Sequence, residues 1–312
     1  MKNSTEIKFC IFTPTFNRAA LLPVLYESLS AQTYTSFEWL IVDGGNDGSE
    51  ILINKWKSEA NFPIRYVRQT TTGLHGAYNE GAQLAVGELF LIMHSDDSCL
   101  PETLMCFYDA WNNIPQSKKV QYSGVWARCL DQSGAMIGEP MGAESLDSTY
   151  HDVIFGRGFK GELFPMVRTD VMKEYPFPMI KGARFIPEGV VWSAIGLKYR
   201  TIFIDIPLRK YASISETTGT TDKLTDPAIL TKNAPSIILY YRTTLLRDIA
   251  WAKCAPLMFL RIAAAYSYYS LLGKIPIHAQ LADLPPLSKV LYFVSFPVGA
   301  AKYLKLKLIS SN

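Results

Sequence analysis

Two neighbouring carboxylates, Asp96 and Asp97, closely follow an unbroken apolar run, Leu89 to Met93. The run is too short for a membrane helix and, preceded by Gly87, is typical of a strand covered on both faces of a parallel sheet. Ligands of such sheets bind beyond the carboxyl ends of the strands. Adjacent carboxylates repel each other, and a hard divalent cation held between them and a phosphate relieves that repulsion. The alternative is that both residues only cap the helix expected near Pro101.

Polar groups also follow the two strands predicted upstream. The turn from Pro14 to Arg18 offers backbone groups, an aromatic ring and a cation, which suit a nucleobase and its phosphates. Asp43 and Gly44 end the second strand, where a buried carboxylate needs a hydrogen-bond donor that a base or ribose could supply. Alternatively, Asn17 caps the first helix and Asp43 caps the second.

The stretch Gly73 to Asn79 opens the helix that precedes the central strand. The backbone amides of its first turn could meet an anion. Asn79 is polar on an otherwise apolar-faced helix, which points to a site. His75 is more often an ordinary loop histidine.

These residues must be positioned by the first hundred residues, in which four apolar strands alternate with three helices. That alternation predicts an α/β fold with a doubly wound, mostly parallel central sheet flanked by helices. Residues 138 to 160 are rich in glycine and acids and are expected to form a mobile loop over the sheet edge. From about residue 226 the chain is predicted to be helical, with breaks at Pro256 and near Pro285. We therefore predict a catalytic domain over 1–225 and a helical region over 226–312.

Composition excludes several classes of protein. The 312 residues suffice for one large α/β domain with appended helices, or for two small domains. A formal charge of +3 gives no reason to expect a nucleic-acid partner. Five cysteines without a C-x-x-C pair indicate neither a disulfide framework nor a zinc site. The four histidines are scattered without metal-ligand spacing. The polar N-terminus lacks the apolar segment of a signal peptide, so we expect a cytoplasmic protein.

Four of these motifs stand in one order and spacing: P-T-F-N-R after the first strand, V-D-G-G after the second, G-x-x-x-A-x-N-x-G-x-x-x-A-x-G-E from Gly73 to Glu88, and S-D-D from Ser95 to Asp97. Together they resemble the family 2 glycosyltransferases over roughly residues 6 to 115. The resemblance implies a GT-A fold, a nucleotide-sugar donor, Mg²⁺ or Mn²⁺, and transfer with inversion at the anomeric carbon.

The resemblance also implies roles for individual residues. Asp97 would face the metal and Asp96 would lie near the ribose. The nucleotide-sugar site would further comprise the matched motif residues Pro14, Thr15, Phe16, Asn17, Arg18, Asp43, Gly44, His75, Asn79 and Ser95. One departure is Gly44, which stands where a second Asp is frequent.

A second departure concerns the general base. Ile186 to Trp192 occupies the place of the family's Glu-Asp motif, but Gly189 stands at its second position. Glu188 is then the sole candidate in the motif for the base. The alternative is a carboxylate at a helix N-terminus, favoured there by the helix dipole.

The C-terminal third is basic and apolar. Residues 251–312 contain seven Lys or Arg and one acid, Asp283, between apolar segments. This pattern predicts helices that lie in the plane of an anionic membrane without crossing it. The alternatives are a helical subdomain packed on the catalytic core, or a homo-oligomer contact.

The sequence therefore predicts a metal-dependent inverting glycosyltransferase that uses a nucleotide-sugar, expected to be a UDP-sugar, and a glycan or lipid-linked acceptor. The main alternative is a catalytically silent sugar-nucleotide-binding or scaffolding protein, which Gly189 favours. A nucleotidyltransferase is disfavoured because Pro14 to Arg18 contains no glycine. The G-x-G-x-x-G pattern at Gly156 lacks the βαβ context of a dinucleotide site.

Overall fold

The first part of the chain alternates strands and helices, as predicted. The structure, a computed structural model, describes residues 7–211 and 232–310. The first elements are β1 (Phe9–Thr15), α1 (Leu22–Ser30), β2 (Phe37–Asp43), α2 (Ser49–Glu59), β3 (Ile64–Arg68), α3 (Gly73–Leu84) and β4 (Leu89–Ile92). β1 pairs in parallel with both β2 and β4, and β2 pairs in parallel with β3. Every residue of β1, β2 and β4 is buried, which explains why these strands are mostly apolar.

Five further strands extend this sheet. The elements are β5 (Ser98–Cys99), α4 (Thr103–Asn112), β6 (Tyr122–Leu130), β7 (Ser145–Ser148), β8 (Leu163–Arg168), α5 (Thr169–Glu174) and β9 (Arg200–Lys210). The strand order is β3-β2-β1-β4-β8-β6-β9-β5, with β7 also paired to β9. Among these later pairings β6 with β9 is parallel, and those of β8, β5 and β7 are antiparallel. The predicted α/β sheet flanked by helices is confirmed, parallel from β1 to β4 and mixed beyond.

The expectation of a mobile loop over residues 138–160 was wrong. Ser145–Ser148 forms β7, which pairs antiparallel with β9, and Asp152–Gly156 forms a π-helical turn. β7 is short, polar and mostly exposed, so it has no apolar run that could reveal it in the sequence. Its backbone hydrogen bonds to β9 define it instead.

The described residues form two compact units. One comprises residues 7–150, 159–177 and 195–211, and the other comprises residues 151–158, 178–194 and 232–310. The predicted domain boundary, between residues 225 and 226, lies outside the described residues.

The second unit is helical. It contains α6 (Gly189–Gly196, whose last two residues belong to the first unit), α7 (Ala234–Arg247), α8 (Pro256–Leu272), α9 (Ile277–Leu281) and α10 (Pro286–Ser310). The predicted breaks are confirmed, because Pro256 and Pro286 each begin a helix. Proline has no backbone N–H to donate and is therefore tolerated in a first turn. α8 packs against both α7 and α10.

Candidate active site

The turn after β1 is locked to the turn after β2. Asn17 adopts a left-handed backbone (φ 52°), and its Oδ1 accepts a hydrogen bond of 2.7 Å from the N–H of Asn46. A Cβ on Gly45 would lie 2.3 Å from the backbone nitrogen of Asn17, so only glycine permits this approach. Asn17 does not cap α1, which has no side-chain cap. The turn leaves the ring of Phe16 exposed (65%).

Asp43 is buried and fully engaged with the chain. Its carboxylate accepts hydrogen bonds from the N–H of Gly45 (2.7 Å), the hydroxyl of Tyr66 (3.0 Å) and the guanidinium of Arg68 (3.3 Å). Asp43 does not cap α2, whose N-cap is Gly48; the N–H of Ser49 at the start of α2 donates to Asp47 instead. The chain itself thus supplies the donors that a buried carboxylate needs.

Gly44 lies where a side chain would collide with its neighbours. A Cβ on Gly44 would lie 2.6 Å from Oε1 of Gln69 and 3.3 Å from the ring of Phe16. An aspartate at this position would therefore displace the Gln69 side chain.

Three of the predicted ligand-binding residues bury polar atoms that have no hydrogen-bond partner within residues 7–211 and 232–310. These atoms are Thr15 Oγ1, Ser95 Oγ and both ring nitrogens of His75. Burial lowers the pKa of the His75 imidazole, which is therefore neutral at neutral pH. Leaving a buried polar atom unsatisfied costs about 1–3 kcal/mol, so a ligand that pairs with these atoms would gain that free energy.

The side chain of Asn79, unlike those three, is hydrogen-bonded within the chain. Its amide nitrogen donates to the carbonyl of Phe177 (2.9 Å), and its amide oxygen accepts the N–H of Phe177 (2.8 Å). This pair of bonds connects α3 to the segment that follows α5. The role of Asn79 in nucleotide-sugar binding stays a prediction.

The two carboxylates after β4 stand beside a histidine. His94, Asp96 and Asp97 each offer one potential metal-ligand atom, and these atoms lie within 4.8 Å of one another. The hydroxyl of Tyr78 lies 2.7 Å from Nε2 of His94, and Nδ1 of His94 lies 3.8 Å from Oδ2 of Asp97. His94 was not among the predicted site residues, because the four histidines show no metal-ligand spacing in the sequence. The one sequence feature that could have indicated His94 is its position two residues before Asp96.

This donor set fits a divalent cation. Carboxylate oxygens bind Mg²⁺ and Mn²⁺, and an imidazole nitrogen is an ordinary ligand of transition metals. Arg18 adds a link between two predicted residues, because its guanidinium nitrogen Nη1 lies 3.0 Å from Oδ2 of Asp96. The ends of β1 and β4 therefore meet, as the parallel sheet predicted.

Asp97 is buried next to an arginine that the sequence analysis missed. Nη1 of Arg209 lies 3.4 Å from Oδ2 of Asp97, and Nη2 lies 2.9 Å from Oε1 of Glu162. Burial by itself lowers the pKa of the Arg209 guanidinium, but the nearby negative charges, with Asp97 the largest, outweigh burial and the pKa is raised. Arg209 is therefore a permanent cation beside Asp97.

The strand pairing explains this juxtaposition. β5 begins directly after Asp97 and runs antiparallel to β9, with Cys99 opposite Arg209. Tyr211 immediately follows β9, and its ring centroid lies 5.3 Å from the guanidinium carbon of Arg209. Burial, with the charges of Glu162 and Asp97, raises the pKa of Tyr211 to about 12. Nothing in the sequence singles out Arg209, because β9 also contains Arg200, Asp205 and Lys210.

Glu188 belongs to the second, helical unit. It immediately precedes α6 and its backbone carbonyl accepts the N–H of Trp192 (3.0 Å). The indole N–H of the same tryptophan donates to Oε2 of Glu188 at 3.0 Å, which orients the carboxylate. Its assignment as the base stays a prediction.

Comparison with known proteins identifies the segment that carries this site. Residues 10–118 match the sequence profile described as Glycosyl transferase family 2. Over this segment the chain is similar to glycosyl transferase family 2. A PGL/p-HBAD biosynthesis glycosyltransferase of Mycobacterium bovis is 35% identical over 91 residues, which cover 29% of this chain and 36% of that protein. The uncharacterized glycosyltransferase YibD of Escherichia coli is 33% identical over 109 residues, covering 34% of this chain and 31% of YibD. The alignments thus span about a third of these relatives.

Solved structures of glycosyltransferases share the fold over nearly the whole chain. S. aureus TarS 1-349 in complex with UDP-GlcNAc has a TM-score of 0.58 at 15% identity, covering 96% of this chain and 92% of that one. Mannosyltransferase PcManGT from Pyrobaculum calidifontis, in complex with GDP-Man and Mn2+, has a TM-score of 0.55 at 17% identity, covering 95% and 87%. The predicted GT-A-like fold is confirmed.

Proposed function

We propose that this chain is a metal-dependent, inverting glycosyltransferase. It would transfer a sugar from a nucleotide-sugar, specifically a UDP-sugar, to a hydroxyl of a glycan or lipid-linked glycan. One observation carries the proposal: a buried carboxylate, Asp97, lies beside His94, Asp96 and Arg209 at the carboxyl end of a parallel strand in a family 2 segment. The complexes of TarS with UDP-GlcNAc and with UDP support a uridine nucleotide.

The donor nucleotide would bind across the ends of β1 and β2. The exposed ring of Phe16 offers a surface on which a base can stack, and Arg18 offers a cation for a phosphate. The buried polar atoms of Thr15, Ser95 and His75 would gain hydrogen-bond partners from the donor. Asp43, held by Tyr66 and Arg68, would keep a fixed acceptor in reach of the base or ribose.

Asp97, with Asp96 and His94, would hold Mn²⁺ or Mg²⁺. When bound, the metal supplies Lewis-acid neutralisation of the departing diphosphate, worth several kcal/mol in the transition state. Arg209 contributes a fixed positive charge beside Asp97. Because Arg209 also pairs with Glu162, its guanidinium is held in place on two sides.

The acceptor hydroxyl would lose its proton to Glu188. Its oxygen then bonds to the anomeric carbon from the face opposite the diphosphate, and the bond from that carbon to the phosphate oxygen breaks. The configuration therefore inverts, and the leaving group is a nucleoside diphosphate. A general base of this kind typically contributes about 10²- to 10⁴-fold to the rate.

A second candidate function follows from Gly189. Without a second carboxylate in the Glu-Asp motif, the chain could bind a nucleotide-sugar and not turn it over. Donor binding without release of nucleoside diphosphate, in the presence of a range of glycan acceptors, would favour this alternative.

Thermal unfolding tests the proposed donor site. The full chain is heated with UDP, GDP, ADP or their sugars, in Mn²⁺ and in chelator. A ligand at about a hundredfold over its Kd stabilises by about 2.7 kcal/mol. We expect UDP to raise the midpoint in Mn²⁺ alone, and Asp97→Asn to abolish the increase. The control Asp170→Asn removes an exposed carboxylate paired with Arg168 and should respond like the wild type. A UDP-induced shift that persists in chelator would contradict the metal assignment.

A further inference from the structure

α10 packs against the rest of the second unit through Tyr292 and three small residues. Ser288, Tyr292, Ser295 and Gly299 are its buried positions. The hydroxyl of Ser288 donates to the carbonyl of Leu245, and that of Tyr292 donates to Gln280. A Cβ on Gly299 would lie 2.0 Å from Oγ of Ser267 and 2.6 Å from the carbonyl of Ala264. Close approach to α8 thus fixes the rotation of α10 about its axis.

The opposite face of α10 is apolar and exposed. Its side chains are 49% to 70% accessible. Projected at about 100° per residue, they all lie on one side of the helix and form a stripe: Leu287, Val290, Phe293, Val294, Val298, Leu304 and Leu308. No residue in the described parts of the chain covers this stripe. The outer face of α10 therefore exposes large apolar side chains, although Tyr292, Leu291 and Phe296 pack into the core of the second unit.

Lysines border the stripe on both sides. At about 100° per residue, the stripe spans about 140° of the helix, Lys289 and Lys307 lie about 40° beyond one edge, and Lys302 lies about 40° beyond the other. A fourth lysine, Lys305, is exposed within the stripe, at the same angle as Leu287. Pro286 to Ser310 contains no Asp or Glu. The stripe thus has a positive rim with no compensating acid in the helix.

We propose that the outer face of α10 binds an anionic lipid surface, with the helix lying in the interface plane. The apolar stripe would enter the boundary between headgroups and acyl chains, and the lysines would contact anionic headgroups. No helix within the described residues combines the length and apolarity required to cross a membrane. Charge disfavours a second copy of the chain, because two α10 stripes in contact would bring their lysine rims together. The proposal is independent of the donor chemistry.

Vesicle flotation of the full chain tests this surface. Vesicles contain equal parts of phosphatidylserine and phosphatidylcholine, or phosphatidylcholine alone. We expect the chain to float with the anionic vesicles at low salt, to dissociate as salt rises, and to remain unbound with the neutral ones. Removing the charge of Lys302 should weaken binding about five-fold, in line with the contribution of one lysine near an anionic surface.

A matched pair of variants separates the stripe from general surface apolarity. Val294→Gln with Val298→Gln alters the middle of the stripe, whereas Val24→Gln with Val86→Gln alters two valines of similar exposure in the first unit. The first double variant should reduce vesicle binding at least about ten-fold, the loss expected from two apolar side chains. The second should bind like the wild type. Unchanged circular dichroism and melting would show that both fold.

Three results would overturn the proposal. The wild type could stay in the soluble fraction with anionic vesicles at low salt, or both double variants could bind equally. Alternatively, light scattering could show a dimer that Val294→Gln with Val298→Gln dissociates, with no vesicle binding. That result would identify the stripe as a contact between copies.

Discussion

The strand ends around Asp97 and the outer face of α10 distribute their side chains in opposite ways. Around Asp97 the charges are inside: the side chains of Asp97 and Arg209 are 1% and 3% exposed. On α10 the apolar groups are outside, among them Val294 and Val298. In most globular proteins charged groups are exposed unless they are paired, and large apolar patches are covered.

Both arrangements are unfavourable for the isolated chain. Burial of charge requires desolvation that the ion pair only partly offsets, and an exposed apolar stripe gives up the free energy of burial. Chains depart from consistent patterning chiefly at functional sites. We therefore infer that each region is completed by a partner, which is a metal and diphosphate in the first case and a lipid surface in the second.

Glu188 offers a contrast with the buried Asp97, because its carboxylate is proposed to act although the residue is only partly buried. We expect Glu188→Gln to lower kcat by about 10²- to 10⁴-fold and to leave donor binding unchanged, since the amide cannot accept the acceptor's proton. Steady-state release of nucleoside diphosphate measures kcat, and the UDP-induced melting shift measures donor binding.

Glu144→Gln is the control for that variant. Glu144 is an exposed acid of the first unit, and its substitution should leave kcat within about two-fold of the wild type, because isolated surface changes are nearly neutral. Equal loss of kcat and of donor binding in Glu188→Gln would indicate a structural role for Glu188.

The buried ion pair between Asp97 and Arg209 can be removed by mutation. Arg209→Met leaves Asp97 and Glu162 without their cation and should reduce the free energy of unfolding by about 3–5 kcal/mol. Arg200→Met is a matched control on the same strand, where the side chains of Arg200 and Asp147 are 45% and 44% exposed. It should cost about 1 kcal/mol or less. Urea denaturation measures the free energy of unfolding of both variants. Equal losses would show that the buried pair of Asp97 and Arg209 contributes no more to stability than the exposed pair of Asp147 and Arg200.

The two faces of α10 should respond differently to small changes. Gly299→Ala forces a methyl group against Ser267 and Ala264 and should destabilise the protein by about 1–3 kcal/mol through overpacking. Val298→Ala, one residue earlier on the outer face, should change stability by less than about 0.5 kcal/mol. Urea denaturation without lipid makes the comparison, and a larger loss for Val298→Ala would mean that the stripe is part of the core.

Much of the site was predictable because its motifs are local. The strands β1, β2 and β4 are mostly apolar, and the polar residues at or after their carboxyl ends lie at the sheet edge where parallel topology requires them. The pairing of Arg18 with Asp96 follows from that topology. Asn17 and Asp43 were harder to assign, because a short polar side chain in a turn fits both a cap and a ligand site.

The sequence by itself determined the alternation of strands and helices, the family 2 motifs and the basic, apolar character of the C-terminal third. Each of these depends on neighbours within a few turns of chain. Only the tertiary structure decided that Arg209, distant in sequence, lies beside Asp97, because the antiparallel pairing of β5 with β9 brings them together. It also decided which face of α10 points outward. The helix carries apolar residues widely around its axis, so the close contact at Gly299, and not its periodicity, selects the buried face.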